Sequence, residues 1–227
     1  MADGGVSARR PRIAEPWSRL LRPGLLYWVG MVPAAWTFWL GVADQLGPDP
    51  MKALERSLGL WALRFLVAGL AVTPLRRIAG VNLLRYRRAV GLLAFFYAVL
   101  HLTTYTVLDQ GLDWAAIWKD IVKRPYITVG MLAFLVLVPL AATSNNAAIR
   151  RIGGPAWVRL HRWVYLAAAA AAVHFVMVVK AWPAEPLVYA GLVALLLAYR
   201  LQARLRRTPT PAGPPHRAAT RPQGSSA

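Results

Sequence analysis

The chain has 227 residues, of which 57% are apolar and only 16% charged, and it contains no cysteine. A soluble chain is closer to a quarter charged, so composition points to a membrane protein, and the missing thiols exclude disulfides, thiolate-ligated haem and iron–sulfur clusters held by this chain. The formal net charge of +18 would suit a nucleic-acid binder, but its distribution along the chain speaks for membrane orientation instead, and no nucleic-acid role is expected.

In chain order, residues 1–23 form a basic segment with Arg9, Arg10, Arg12, Arg19 and Arg22. The Arg9–Arg10 pair is like the start of a twin-arginine signal. The rest of that pattern is missing and the first apolar run is long enough to span, so no cleavage is expected. A transmembrane helix needs about 20 mostly apolar residues. Six segments qualify, at about 24–43, 54–75, 89–108, 126–143, 161–180 and 185–203. Short connections between them predict one all-α unit over 24–203, a six-helix transmembrane bundle. The connection 109–124, DQGLDWAAIWKDIVKR, has apolar residues at helical spacing and predicts a short surface helix on the outer side. Trp17, Trp114, Trp118, Trp157, Trp163 and Trp182 fall near predicted helix ends, where an amphipathic indole suits the lipid interface. The tail 204–227 is rich in Pro, Ser and Ala and is expected to be a disordered cytoplasmic segment. His216 lies in it and is given no role. No internal repeat is evident, although the third and fifth segments each carry a histidine late in the span.

Charge sets the orientation. Twenty basic residues lie before segment 1, in the gaps after segments 2 and 4, and after segment 6; six lie on the opposite side, and Arg64 sits inside segment 2. The positive-inside rule therefore places both termini in the cytoplasm. Segments 3 and 5 then both run outward. His101 lies thirteen residues beyond Arg88, and His174 thirteen beyond His161. At 1.5 Å per residue each ascent is about 20 Å. In a core about 30 Å thick, His101 and His174 share a level in the outer half.

Two neutral imidazoles without thiolates or carboxylates suit the axial positions of a haem iron. A zinc site would want four ligands, and none is left at that depth. On the His174 face, Ala167, Ala170 and Ala171 offer a shallow strip beside the ligand, or else serve close helix packing. His161 is about 140° from His174 around a continuous helix. It is a candidate ligand of an inner haem or of another redox partner, the alternative being an interfacial histidine. A central arginine costs about 2.5–3.5 kcal/mol on insertion scales, which makes Arg64 a candidate partner of a haem propionate or a quinone oxygen, the alternative being snorkelling. A transporter with a histidine relay is the rival class. It would want acidic partners, and all nine Asp and Glu lie outside the spans or at their ends.

The stretches LRFLVAGLAVTPLRR, RRAVGLLAFFYAVLHLTTYTVL, RPYITVGML and LHRWVYLAAAAAAVHF, followed by PLVYAGL, occur in order over about residues 24–203. In these the chain resembles the MsrQ (YedZ) family of ferric-reductase-like transmembrane proteins. The resemblance implies a bacterial inner-membrane subunit that binds haem b and uses FMN. It implies electron passage from a cytoplasmic flavin reductase or the quinone pool to a periplasmic molybdopterin subunit that reduces methionine sulfoxide in proteins. The family's three histidines correspond to His101, His161 and His174. No residue pattern here specifies FMN. Sulfoxide reduction would occur on the partner, so the expected role is electron transfer rather than a complete enzyme, with another ferric-reductase-like cytochrome b as the alternative.

Overall fold

The computed structural model describes residues 23–179 and 183–206. Segment 1–22, Lys180, Trp182 and most of the C-terminal tail, with His216, lie outside the described residues. All regular structure among the described residues is helical: α1 (Pro23–Val42), α2 (Pro50–Ile78), α3 (Arg87–Thr103), α4 (Trp114–Lys123), α5 (Pro125–Ala142), α6 (Asn146–Ile152), α7 (Gly154–His161), α8 (Val164–Val178) and α9 (Ala184–Leu205). Among the described residues six stretches are long and apolar enough to cross a membrane: Gly24–Val42, Pro50–Ile78, Leu84–Asp109, Pro125–Ala142, Gly154–Val178 and Ala184–Leu205. They coincide with the six predicted segments, and the expected surface helix in 109–124 is α4. The end of the bundle that carries α4 and the α1–α2 connection is called the outer end below. Trp28, Trp36 and Trp39 of α1 are 71%, 60% and 62% exposed, an apolar belt that only lipid would cover at no cost.

Helix α2 is the centre of the bundle because its residues enter all three buried clusters. Leu54, Leu58 and Ala62 pack with Ala34 and Tyr97. Leu63 and Leu70 pack with Ala168, Ala172 and Val193. Leu66 packs with Ala94, Leu137 and Ala167. Its start is fixed by Asp49, whose carboxylate accepts from the Lys52 backbone N–H at 3.3 Å and pairs with Lys52 Nζ at 2.8 Å. The hydrogen bonds from Lys52 hold that carboxyl below the usual carboxylate range.

Two prolines inside helices are compensated by side chains from other helices. In α1, Pro33 interrupts the ladder, and the wholly buried Tyr97 enters the adjacent turn. Its hydroxyl donates to Gly30 O at 2.7 Å and accepts from Ala34 N–H at 2.9 Å, bridging an i, i+4 pair. In α2, Pro74 leaves the Leu70 carbonyl without its i+4 donor, and Arg200 of α9 donates to that oxygen at 2.7 Å and to Tyr165 Oη at 3.0 Å. An unmet carbonyl in hydrocarbon costs several kcal/mol, so these contacts set which faces of α1, α2 and α9 turn inward.

Two local departures from regular helix bear on the site. Beyond Thr103, α3 widens into a π-helical turn over Thr104–Asp109, a feature frequent beside functional residues. The fifth span is divided: α7 ends at His161, Arg162 and Trp163 form a turn, and α8 begins at Val164. The continuous helix predicted over 161–180 is thus corrected, and the 140° angle between His161 and His174 no longer applies.

Candidate functional site

His101, on the last turn of α3, and His174, on α8, line one cavity of about 660 Å³ in the outer half of the bundle. Their ring centroids are 6.2 Å apart and their planes cross at 74°. Each ring is tethered through Nδ1 to a backbone carbonyl of the neighbouring helix. His101 Nδ1 lies 2.9 Å from Glu55 O on α2, and His174 Nδ1 lies 2.7 Å from Tyr126 O on α5. A carbonyl can only accept, so each Nδ1 carries the proton and each Nε2 keeps its lone pair. This is the tautomer and the outer tether that metal-ligating histidines require.

The rings can reach those carbonyls because a glycine lies one turn further along each helix. A Cβ on Gly59 would come within 3.0 Å of His101 Nδ1, and one on Gly130 within 2.8 Å of His174 Nδ1. Glu55 and Gly59, like Tyr126 and Gly130, are an i, i+4 pair, so the carbonyl of the first points along the helix past the bare Cα of the second. The likeness extends further. Ala62 and Leu66 on α2 match Ala133 and Leu137 on α5, and Ala98 on α3 matches Ala171 on α8, all of them around the cavity. The α2–α3 and α5–α8 pairs are therefore two copies of one histidine-presenting unit, which corrects the expectation of no internal repeat. The two glycines, which make room for the rings, were missed by the sequence reading. The signal was a glycine four residues after the carbonyl donor, and it acquires meaning only once each histidine has been matched to its neighbouring helix.

Of the three alanines considered for the strip, only Ala171 borders the cavity. Ala167 is fully buried against α2, α3 and α5, and Ala168 against α2 and α9. Two imidazoles flanking one metal ion, with bonds of about 2 Å, have centroids roughly 6 Å apart, which is the spacing observed. Among the described residues no group of three or more His, Cys, Asp or Glu could hold a metal, so a metal between these rings needs equatorial ligands of its own, as a porphyrin has. The cavity falls within the range of about 300–1,000 Å³ typical of cofactor sites. The residues present fit a haem.

The structure does not bring His161 to this pair. His161 lines a second cavity of about 460 Å³, toward the inner end, with Arg87, Arg88, Arg162 and Arg204 and with no carboxylate in its lining. Its ring stacks on Trp157 at 3.8 Å, its Nδ1 is 3.1 Å from Trp157 O, and its Nε2 is 3.4 Å from Ser144 Oγ. Leu66 and Leu137 line both cavities and so form the partition between them. Arg64 lines neither. Its Nε donates to Tyr189 Oη at 2.9 Å, its guanidinium is 3.9 Å from Glu185, and it lies 4.7 Å over the Trp61 ring, tying α2 to α9.

Six helices long and apolar enough to cross a membrane, with two tethered imidazoles in one interhelical cavity, put the chain in the class of all-helical transmembrane bundles. Residues 58–172 match the family described as ferric reductase like transmembrane component. Proteins named "protein-methionine-sulfoxide reductase heme-binding subunit MsrQ" from Brucella ovis, Brucella melitensis biotype 2 and Brucella suis biovar 1 are each 59% identical over 196 residues, covering 84% of this chain and 89% of the relative. The chain belongs to the MsrQ family of ferric-reductase-like transmembrane proteins.

Proposed function

We propose that this chain is a haem b-binding electron-transfer subunit, with His101 and His174 as the two axial ligands of a haem in the outer half of the bundle. One observation carries the reading: both rings are held in the Nδ1–H tautomer by Glu55 and Tyr126 carbonyls, with centroids 6.2 Å apart in one cavity. The names of the Brucella relatives support it. Haem supplies the one-electron chemistry; the protein supplies ligation, position and dielectric. The tethers make each imidazole a better donor and fix its orientation. The Leu and Ala lining excludes water from the ligated centre.

The finer reading follows the family resemblance. Electrons enter from the cytoplasmic side, from a flavin reductase or the quinone pool, and leave to a periplasmic molybdopterin-containing methionine-sulfoxide reductase, where sulfoxide is reduced. The inner cavity is the receiving site. Its four arginines and His161 would hold an anionic or hydrogen-bonding redox group, and the FMN phosphate is one such anion. His161 serves there as ligand or hydrogen-bond partner. Arg64 acts through Tyr189 and Glu185 rather than through a cofactor. The protein sits in the bacterial inner membrane with both termini cytoplasmic, the basic N-terminal segment 1–23 and tail 204–227 flanking the 24–203 bundle.

Two measurements test this. The detergent-purified protein, expressed with full haem supply, is expected to show a Soret band that shifts on reduction; a colourless preparation would end the haem reading. Reporter fusions at the C-terminus and within 76–88 are expected to report cytoplasm, and fusions within 109–124 periplasm. A cytoplasmic signal from 109–124 would invert the membrane orientation and with it the direction of electron flow.

A further inference from the structure

The outer cavity is polar at one end only. On the α2 side it is lined by Lys52, Glu55, Arg56, Gly59, Leu60, Ala62, Leu63 and Leu66, and of these Lys52, Arg56, Gly59, Leu63 and Leu66 recur at alternating spacings of four and three and so form one stripe of the helix, with Glu55 beside it. Taken from the outer end, the stripe reads cation, cation, glycine, leucine, leucine. Gly59 marks the level of the His101 ring. Arg56 and Lys52 begin about 4.5 and 10.5 Å outward of it, at 1.5 Å per residue. Across the cavity Arg124, at the start of α5, stands six residues outward of Gly130 and supplies a third cation. Inward of the rings the lining is Leu, Ala and Phe, and the Leu66–Leu137 partition closes it off from the arginines of the inner cavity.

A haem is itself two-ended, with two carboxylates on one edge and methyl and vinyl groups on the other. Carboxylates driven into the Leu and Ala floor would lose their hydration with nothing in exchange. We propose that the haem lies with its propionate edge toward the outer end, held by Arg56 and Arg124 with Lys52 beyond them, and that this edge is the one from which electrons leave. The proposal rests on the haem reading above. Each cation already has a carboxylate neighbour: Asp49 is 2.8 Å from Lys52, Glu185 is 3.4 Å from Arg56 and Asp120 is 3.1 Å from Arg124. These partners hold the long side chains at the cavity mouth. Guanidinium groups have donors enough to serve a protein carboxylate and a propionate together. Glu55 and Asp109 also line the mouth, so acids are as well represented there as cations, and what favours a carboxylate at this end is the spare guanidinium N–H donors and the contrast with the apolar floor rather than net charge.

The test compares haem with its dimethyl ester, which keeps the iron and the macrocycle and lacks the two charges. Full-length haem-depleted protein in detergent is titrated with each, followed by the Soret band. The unaltered protein is expected to bind the free acid at least roughly tenfold more tightly than the ester. Arg56→Gln combined with Arg124→Gln is expected to bring that ratio close to one, while Arg56→Lys with Arg124→Lys retains most of it. The same Gln pair is expected to lower the midpoint potential of the bound natural haem, because two positive charges near the iron edge are lost. Single Gln variants, each with a partial loss of the ratio, serve where the pair does not fold. Arg87→Gln, in the inner cavity, should leave the ratio unchanged. An unchanged ratio in the Gln pair, or a ratio lost in Arg87→Gln, overturns the proposed orientation. Failure of the unaltered protein to bind either compound overturns the haem reading itself.

Discussion

Replacing His101 or His174 by alanine is expected to remove most of the outer-haem absorbance in either single variant, and the double variant is expected to lose little more. Under the proposed pairing both imidazoles would hold one iron, so deletion of either would empty the site and the effects would not add. His161→Ala should leave that haem largely in place, because His161 lies in a different cavity beyond the Leu66–Leu137 partition. Its consequence should appear at the inner end, as slower reduction of the outer haem by a cytoplasmic-side donor. Haem-to-protein ratios and reduced-minus-oxidised spectra of the three variants decide the matter. Loss of all haem in His161→Ala with retention in His174→Ala would show that the ligand pair has been wrongly chosen.

The second large effect is expected at residues that touch no metal. A Cβ at position 130 would come within 2.8 Å of His174 Nδ1 and 2.9 Å of Cε1; at position 59 the distances to His101 are 3.0 and 3.1 Å. In Gly130→Ala the ring must leave its place, and with it the 2.7 Å bond to Tyr126 O. Loss of such an outer tether typically weakens metal binding by roughly 10- to 100-fold, and the haem content of Gly130→Ala should fall accordingly. Gly59→Ala has slightly more room and should lose less. The helix gives the control. Alanine is the better helix former by about 1 kcal/mol, which offsets part of the cost of the displaced ring, so the loss of haem should exceed any loss of thermal stability in the haem-free protein. Gly191→Ala, whose new Cβ meets nothing within 4 Å, should keep its haem in full. Equal haem content in Gly130→Ala and Gly191→Ala would refute the close fit of ring on backbone.

Much of this was legible in the sequence because the membrane makes it so. A span must be long, apolar and satisfied within itself, so six apolar runs translate directly into six helices, and the asymmetry of the arginines gives an orientation to test. The pairing of His101 with His174 also needed only counting, since two outward-running helices with a histidine thirteen residues from a basic inner edge present them at one height. Arg64 shows where counting stops. Its depth marked it as costly, but only the packing of α9 against α2 gives it Tyr189 and Glu185 as partners. The turn at Arg162–Trp163, just after His161, has no counterpart in the hydropathy of the segment. The repeat that joins α2–α3 to α5–α8 was hidden for a physical reason. What the two units share is not a run of side chains but a bare Cα beside an open carbonyl, and that has value only when a ring from another helix comes to rest on it. The sequence by itself determined the spans, the charge asymmetry and the common level of the two histidines. Tertiary structure decided the tautomers, the glycine seats and the separation of the two cavities, because each depends on which faces of different helices meet.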